Sequence, residues 1–275
     1  MRKLLARFTL VVFGLYLAAC LAMFLLQRQI LFVPGTRDVA LDVALVPNAA
    51  VIELVTGDGE TIKAWWVPPR DANHAVYLYF HGNAETLASR DGRFGLLVAQ
   101  GAGLLGVSWR GYGGSTGSPS EVGFRLDALA AYAWLHEQGV APERLLVFGE
   151  SVGTGIAVWL SSQEPTGALI LDSPYTALDR LAQQRYPWLP VSLLMRDHFD
   201  SLQWAAAITV PVIVFHCTGD PLVPYAMGQE LFAAFGTQDK HFESVERTCH
   251  VPSVQPLLPQ FRELERKVAA NLTPQ

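Results

Sequence analysis

The chain has 275 residues, is 51% hydrophobic and carries 20 basic against 25 acidic side chains, a formal charge of -5. That length and apolar content suffice for one large core in a single domain. The acidic balance and the lack of basic clusters in its body exclude nucleic acid as an expected partner, and no internal repeat, low-complexity tract or second-domain linker interrupts it.

The first feature along the chain is amino-terminal. Arg2, Lys3 and Arg7 precede an apolar run from Phe8 to Leu26, which Gln27-Arg28-Gln29 closes. Its length approaches the ~20 residues a helix needs to cross a bilayer, and the basic flank places the amino end in the cytoplasm. Residues 1–27 are therefore read as a membrane anchor, in the inner membrane of a bacterium, with residues 28–275 as a globular domain on the periplasmic side. Leu17-Ala18-Ala19-Cys20 also matches the processing box of bacterial lipoproteins, which would leave a lipidated Cys20. The apolar run continues beyond Cys20, as a spanning helix requires. Both readings attach the protein to a membrane and face it outward.

Residues 51–56, then Gly57-Asp58-Gly59, then residues 61–67 read as a hairpin about a Gly/Asp turn. From residue 76 onward short apolar runs alternate with helical patterns, which implies parallel pairing and right-handed crossovers. The expected fold class is α/β: a mostly parallel twisted sheet with an antiparallel edge hairpin and helices on both faces. The stretch from Gly111 to Gly117 lacks the Gly-Lys-Ser/Thr ending of a phosphate-binding loop and does not fit G-x-G-x-x-G, so it is read as a tight crossover loop. Ser118 as N-cap, Pro119 at the first helical position and Glu121 reaching back predict a helix start. Val122, Leu126, Leu129, Ala130, Ala133 and Trp134 form its expected apolar stripe.

The apolar run Leu145-Leu146-Val147-Phe148 leads into Gly149-Glu150-Ser151-Val152-Gly153, and small residues follow. This is a G-x-S-x-G string in a strand-turn-helix setting, which places a serine at the apex of a sharp turn. A serine hydroxyl needs a histidine to activate it, and the histidine needs a carboxylate to fix its tautomer. The chain order for such sites is serine, acid, histidine. Asp220 follows the apolar run from Val210 to Phe215 in a loop of turn residues, and His250 follows the alternating segment at residues 241–245. Asp172, at the end of the run Ala168-Leu169-Ile170-Leu171, is the competing acid, although Asp172-Ser173-Pro174 looks more like a structural turn. Glu150 is assigned no chemistry. His74, His136, His198, His216 and His241 are read as ordinary surface or core residues, and His81 as a brace for its loop.

With these residues in place the chain resembles the alpha/beta-hydrolase superfamily, and more narrowly its Bem46-like group of membrane-anchored serine hydrolases. The resembling pieces are Tyr79-Phe80-His81-Gly82-Asn83-Ala84-Glu85, Trp109 to Glu121, the Ser151 turn, Asp172-Ser173-Pro174-Tyr175, Thr218-Gly219-Asp220 and His250. Two departures flank the acid and the histidine: Cys217 stands where glycine is more usual, and Thr248-Cys249 replaces a small pair. The resemblance implies Ser151 as nucleophile, Asp220 and His250 as its partners, and the backbone N–H groups of Asn83 and Val152 as the oxyanion hole. It implies cleavage of carboxylic esters or thioesters of a small-molecule or acyl substrate, with no cofactor. Amide cleavage by the same residues and a non-catalytic, membrane-tethered binding module remain as alternatives.

The apolar segment at roughly residues 173–200 is expected to form a small cap with an acyl or leaving-group pocket, the alternative being plain helix packing on the sheet. If the strands before Asp220 and His250 are sheet neighbours, as that fold implies, Cys217 and Cys249 come within reach of a disulfide. Two separate buried thiols are the other reading. No Cys/His spacing suggests a metal site.

Overall fold

The computed structural model describes residues 1–34, 45–84 and 86–270. Glu85, at the end of the His81 motif, lies outside them.

Eight strands run through the described residues: β1 (Ala50–Val55), β2 (Thr61–Val67), β3 (Val76–Phe80), β4 (Gly103–Val107), β5 (Leu145–Glu150), β6 (Ala168–Asp172), β7 (Val212–Cys217) and β8 (Lys240–Val245). They form one sheet in the order β1-β2-β4-β3-β5-β6-β7-β8. The β1–β2 hairpin is antiparallel and meets β4 antiparallel, and every later pairing is parallel. The central strands read as unbroken apolar runs because both faces of the sheet are covered. Leu78, Phe80, Val147, Leu171 and Val214 enter one core, while Tyr77, Tyr79, Phe148, Ile170 and Phe215 enter the other.

The described helices are α1 (Arg2–Leu31), α2 (Asp91–Val98), α3 (Glu121–Glu137), α4 (Val152–Gln163), α5 (Leu178–Arg185), α6 (Val191–Leu194), α7 (Ser201–Ala205), α8 (Tyr225–Ala234) and α9 (Leu258–Ala270). Helices α3, α4, α7 and α8 pack on the first face through Phe124, Ile156, Ala205 and Leu231. Helices α2 and α9 cover the second through Phe94, Leu97, Phe261 and Leu264.

The start of α3 corrects the sequence reading. Ser120, not Ser118, caps the helix by accepting from the Gly123 N–H at 3.0 Å. Pro119 is held against Gly111, where a Cβ would fall 2.8 Å from its ring, so the helix begins two residues later than expected. Glu121 does not reach back; its carboxylate accepts from Arg125 and from the His198 N–H. The buried face is Phe124, Ala128, Ala131 and Leu135, whereas Val122 and Ala133 are exposed. Leu129 and Trp134 of the expected stripe do pack, part-buried, against the first core, but a stripe drawn from hydropathy misses the centre of the buried face because Asp127 lies there, paired with Arg110 at 2.8 Å.

Helix α1 is long and apolar enough to cross a membrane, with a mean hydropathy of 2.5 over its best window. It does not stop at the polar trio after Leu26. Gln27 donates to the Leu194 carbonyl and accepts from the Arg196 N–H, and Arg28 forms a two-point ion pair with Asp197 at 2.7 and 3.0 Å. Beyond its end, Phe32 is buried in the first core, edge-on to Phe124 at 5.3 Å. Phe124 in turn stacks on Trp109 at 4.4 Å. Truncating this hub leaves a cavity among four aromatic rings, so Phe124→Ala is expected to cost about 3–5 kcal/mol. A thermal melt of the detergent-solubilised protein should show a fall on the order of 10 °C.

Candidate active site

Ser151 joins β5 to α4 with φ +50° and ψ -118°. This left-handed conformation costs a side-chain-bearing residue on the order of 1–3 kcal/mol and persists only where the surroundings over-determine it. Here they do. A Cβ on Gly153 would strike the backbone of Phe80 and His81, and one on Gly149 would fall 2.6 Å from the Cα of Thr154. The Ser151 N–H donates to the Asp172 carbonyl at 2.9 Å, and the Ser151 carbonyl accepts from the Thr154 N–H and hydroxyl.

The structure brings the three predicted side chains together. The Ser151 hydroxyl donates to His250 Nε2 at 2.7 Å, and His250 Nδ1–H donates to Asp220 Oδ2 at 2.8 Å. These proton positions follow from the network: only a histidine protonated at Nδ1 satisfies both contacts. The other oxygen of Asp220 accepts from the N–H groups of Leu222 and Val223 at 2.8 and 3.0 Å. Burial works to raise the pKa of Asp220, but the hydrogen bonds from His216 and His250 and from these two amides outweigh it and hold the carboxyl well below its usual range. The carboxylate is thereby kept ionised opposite the imidazole.

His216, read from the sequence as ordinary, touches this acid. Its Nε2–H is shared between Asp220 Oδ2 and the Val223 carbonyl, each at 3.1 Å, and the ring is fully buried. Four-residue spacing from Asp220 was the available signal, but a strand-end histidine has too many uses for spacing alone to select it.

Glu150, assigned no chemistry from the sequence, and Asp172, the competing acid, anchor the site from behind. Arg90 clasps Glu150 through two bonds of 2.7 Å. Arg93 reaches Glu150, Asp172 and the Pro252 carbonyl in the loop that carries His250. Burial would raise both carboxyls. At Glu150 the two arginines prevail and hold it at about 2, whereas Asp172, with the Glu150 charge beside it, is pushed up to about 6 despite Arg93. Asp172 thus faces Arg93 rather than a histidine. The Ser173 hydroxyl donates to the His250 carbonyl, so the end of β6 also holds the histidine loop.

Cys217 and Cys249 form a disulfide with their Cα atoms 5.7 Å apart. It joins the end of β7, three residues before Asp220, to the residue preceding His250. Among the described residues, no group of three or more His, Cys, Asp and Glu is arranged to hold a metal ion.

On the other side of Ser151 lies the His81 loop. His81 braces it as expected, accepting from the Trp109 N–H and donating to the Gly82 carbonyl. Gly82 lies against the Ser151 turn, since a Cβ there would come 3.3 Å from that of Ser151. The Asn83 side chain accepts from Tyr112 at 2.7 Å and from the Val33 N–H, and it donates to the Leu31 carbonyl. Val152 opens α4, where backbone N–H groups lack helical acceptors. A cavity of about 620 Å³ adjoins the site, lined by Asp220, Pro221 and Leu222, by α5 and α6, and by the end of α1.

Known proteins are similar to this chain to different extents. Residues 76–191 match the family described as the alpha/beta hydrolase fold. An uncharacterized protein of Mycobacterium tuberculosis is 35% identical over 210 residues, 76% of this chain and 75% of that protein. A lysophosphatidylserine lipase of Danio rerio, ABHD12, is 33% identical over 188 residues, 61% of this chain and 49% of the relative. Among solved structures, the Pyrococcus furiosus esterase Pf2001 superposes with a TM-score of 0.68 at 20% identity, covering 87% of this chain and 99% of the esterase. At that identity the likeness shows the fold alone.

The disulfide closes a loop across a sequence separation of 32. Chain entropy gives it about 3–4 kcal/mol, so the Cys217→Ser/Cys249→Ser variant should unfold at correspondingly lower denaturant, as read by urea titration. Asp220 supplies a pH-dependent part of stability. Because its folded pKa is depressed, that contribution is complete above the unfolded carboxyl value near 4 and is lost as the pH falls below it. The gap in melting temperature between wild type and Asp220→Asn should therefore narrow from pH 7 to pH 3.

Proposed function

The chain belongs to the alpha/beta-hydrolase superfamily, and from that premise we propose that it is a membrane-attached serine hydrolase cleaving carboxylic esters or thioesters. The observation that carries the reading is the continuous hydrogen-bond chain from Ser151 through His250 to Asp220, with the serine on a strained turn.

In this mechanism the Ser151 oxygen attacks the substrate carbonyl carbon while His250 Nε2 takes its proton, and Asp220 stabilises the imidazolium that results. The negative charge moves to the carbonyl oxygen, where the N–H groups of Val152 and Asn83 receive it; each such donor contributes about 3–4 kcal/mol in the transition state. His250 then gives its proton to the departing alkoxide or thiolate. Water repeats the sequence on the acyl-enzyme and releases the acid. Arg93 and the disulfide act through the loops, keeping the histidine against the serine.

Two findings favour an ester of a lipid. Relatives about 30% identical are named lysophosphatidylserine lipases, although the chain spans only about half their length, and the cavity beside Asp220 is lined mostly by apolar side chains. The narrower Bem46-like placement belongs to the same reading. The uncleaved anchor is favoured over a lipidated Cys20. The Cys20 side chain is buried against Leu189 and Val191, and α1 runs on without a break to Leu31. The amino end then lies in the cytoplasm and the hydrolase body outside, in a bacterial inner membrane.

Labelling with a fluorophosphonate probe tests the chemistry, since only an activated serine displaces fluoride from phosphorus. Wild type in membranes should label, and Ser151→Ala and His250→Ala should not, with ester turnover falling by roughly 10⁴-fold or more. Failure of correctly folded wild type to label would overturn the proposal.

A further inference from the structure

The cavity beside the proposed nucleophile is not built by the hydrolase body alone. Met23, Gln27, Ile30 and Leu31 of α1 form one wall, facing Leu181, Leu189 and Leu194 of the segment that follows β6. The same helix end is tied to the site itself, because Leu31 and Val33 are bonded to Asn83. We infer that α1 is a specificity element: its last three turns are a wall of the acyl-binding site, and the acyl chain of a membrane-resident monoacyl ester enters from the bilayer between α1 and the 178–195 segment. This inference rests on the serine-hydrolase reading.

Three observations carry it. The first is position. The cavity touches Asp220, which is bonded through His250 to Ser151, and Leu31, which is bonded to Asn83 in the loop whose Gly82 lies against Ser151. An acyl chain lying in the cavity would therefore have its carboxyl end toward Ser151.

The second is the relation of the cavity to the bilayer. The Tyr16 hydroxyl donates to the Trp188 carbonyl at 3.1 Å. Tyr16 lies roughly 16 Å below Gln27 along the helix axis, so the turn between α5 and α6 descends beside the apolar length of α1. Trp188 is 55% exposed there and Leu193 83%. Exposed aromatic and aliphatic side chains alongside a spanning helix belong in the outer leaflet, and they carry the cavity to the level of the lipid chains.

The third is rigidity. The Gln27 bonds to Leu194 and Arg196, the Arg28–Asp197 pair and the Arg196 guanidinium over Phe24 at 4.2 Å clamp α1 to this segment. A flexible tether needs none of them. Phe32 then ends the helix inside the core. The volume of about 620 Å³ lies within the range of sites that enclose one elongated ligand.

The test uses the full-length protein in lipid nanodiscs with a long-chain alkyl fluorophosphonate bearing a diazirine at the chain end. Ser151 forms the phosphorus adduct with loss of fluoride, illumination cross-links the chain end, and peptide mass spectrometry locates it. The expected result is an adduct on Ser151 with cross-links in residues 20–31 and 178–195. A kinetic counterpart uses Ile30→Trp, which enlarges a side chain already 47% exposed at the cavity. Each methylene kept out of an apolar site costs roughly fourfold, so the preference for dodecanoyl over butanoyl esters should fall by about tenfold or more. Leu25→Trp, on the opposite side of the helix and 61% exposed, should keep the wild-type preference. A Ser151 adduct with no cross-link in α1, or an unchanged preference in an Ile30→Trp protein that still labels, overturns the inference. Absence of any Ser151 adduct overturns the hydrolase reading beneath it.

Discussion

A serine with φ +50° between β5 and α4 is the constraint around which the site is arranged. The conformation is unfavourable for any residue with a side chain, and it exists because β5, β3 and α4 approach too closely for the turn to relax. Gly149 and Gly153 permit that approach. The turn places Ser151 at the carboxyl edge of the sheet, the edge to which parallel strands deliver their following loops. Asp220 and His250 arrive there after β7 and β8, which are adjacent in the sheet.

The loops that carry these two residues would be mobile without restraint, and the molecule restrains them redundantly. A disulfide joins their stems, Ser173 holds the His250 carbonyl, and Arg93 connects the Pro252 carbonyl to Asp172 and Glu150. Arg93 is buried with two carboxyls, an arrangement that is costly unless every charge is paired and hydrogen-bonded. Glu150 meets that condition through Arg90, Arg93 and Tyr79. The second face of the sheet therefore serves as the rear support of the site as well as a core.

Helix α1, long and apolar enough to cross a membrane, is tied directly to this body by side-chain bonds at its end. Its last turn is bonded to the segment after β6 and to the Asn83 loop, and Phe32 packs with Phe124 and Phe199. A displacement of α1 must disturb the aromatic core and the loop that holds a proposed oxyanion donor. In the proposed reading, attachment and substrate binding are thus one mechanical unit.

Much of this was legible along the chain. The alternation of strands and helices, the hairpin, the Ser151 turn and the order of Ser151, Asp220 and His250 are local patterns, because strand periodicity and turn chemistry act over a few residues. Where contacts distant in sequence decide, local reading failed. Ser118 looked like a cap, but Pro119 packs on Gly111 and α3 starts at Glu121. Val122 looked like core, but the Asp127–Arg110 pair turns a different face inward. His216 and Glu150 looked inert until β7 brought one to Asp220 and α2 brought Arg93 to the other.

By itself, then, the sequence determined the fold class, the apolar amino-terminal helix and the three side chains that meet at the site, since these depend on periodicity and chain order. Tertiary structure decided which face of α3 is buried, which charges sustain the site from behind, and that the apolar helix lines the cavity. Those outcomes depend on burial and pairing between segments far apart in the chain, such as Arg28 with Asp197 across a separation of 169 residues, and no local pattern encodes them.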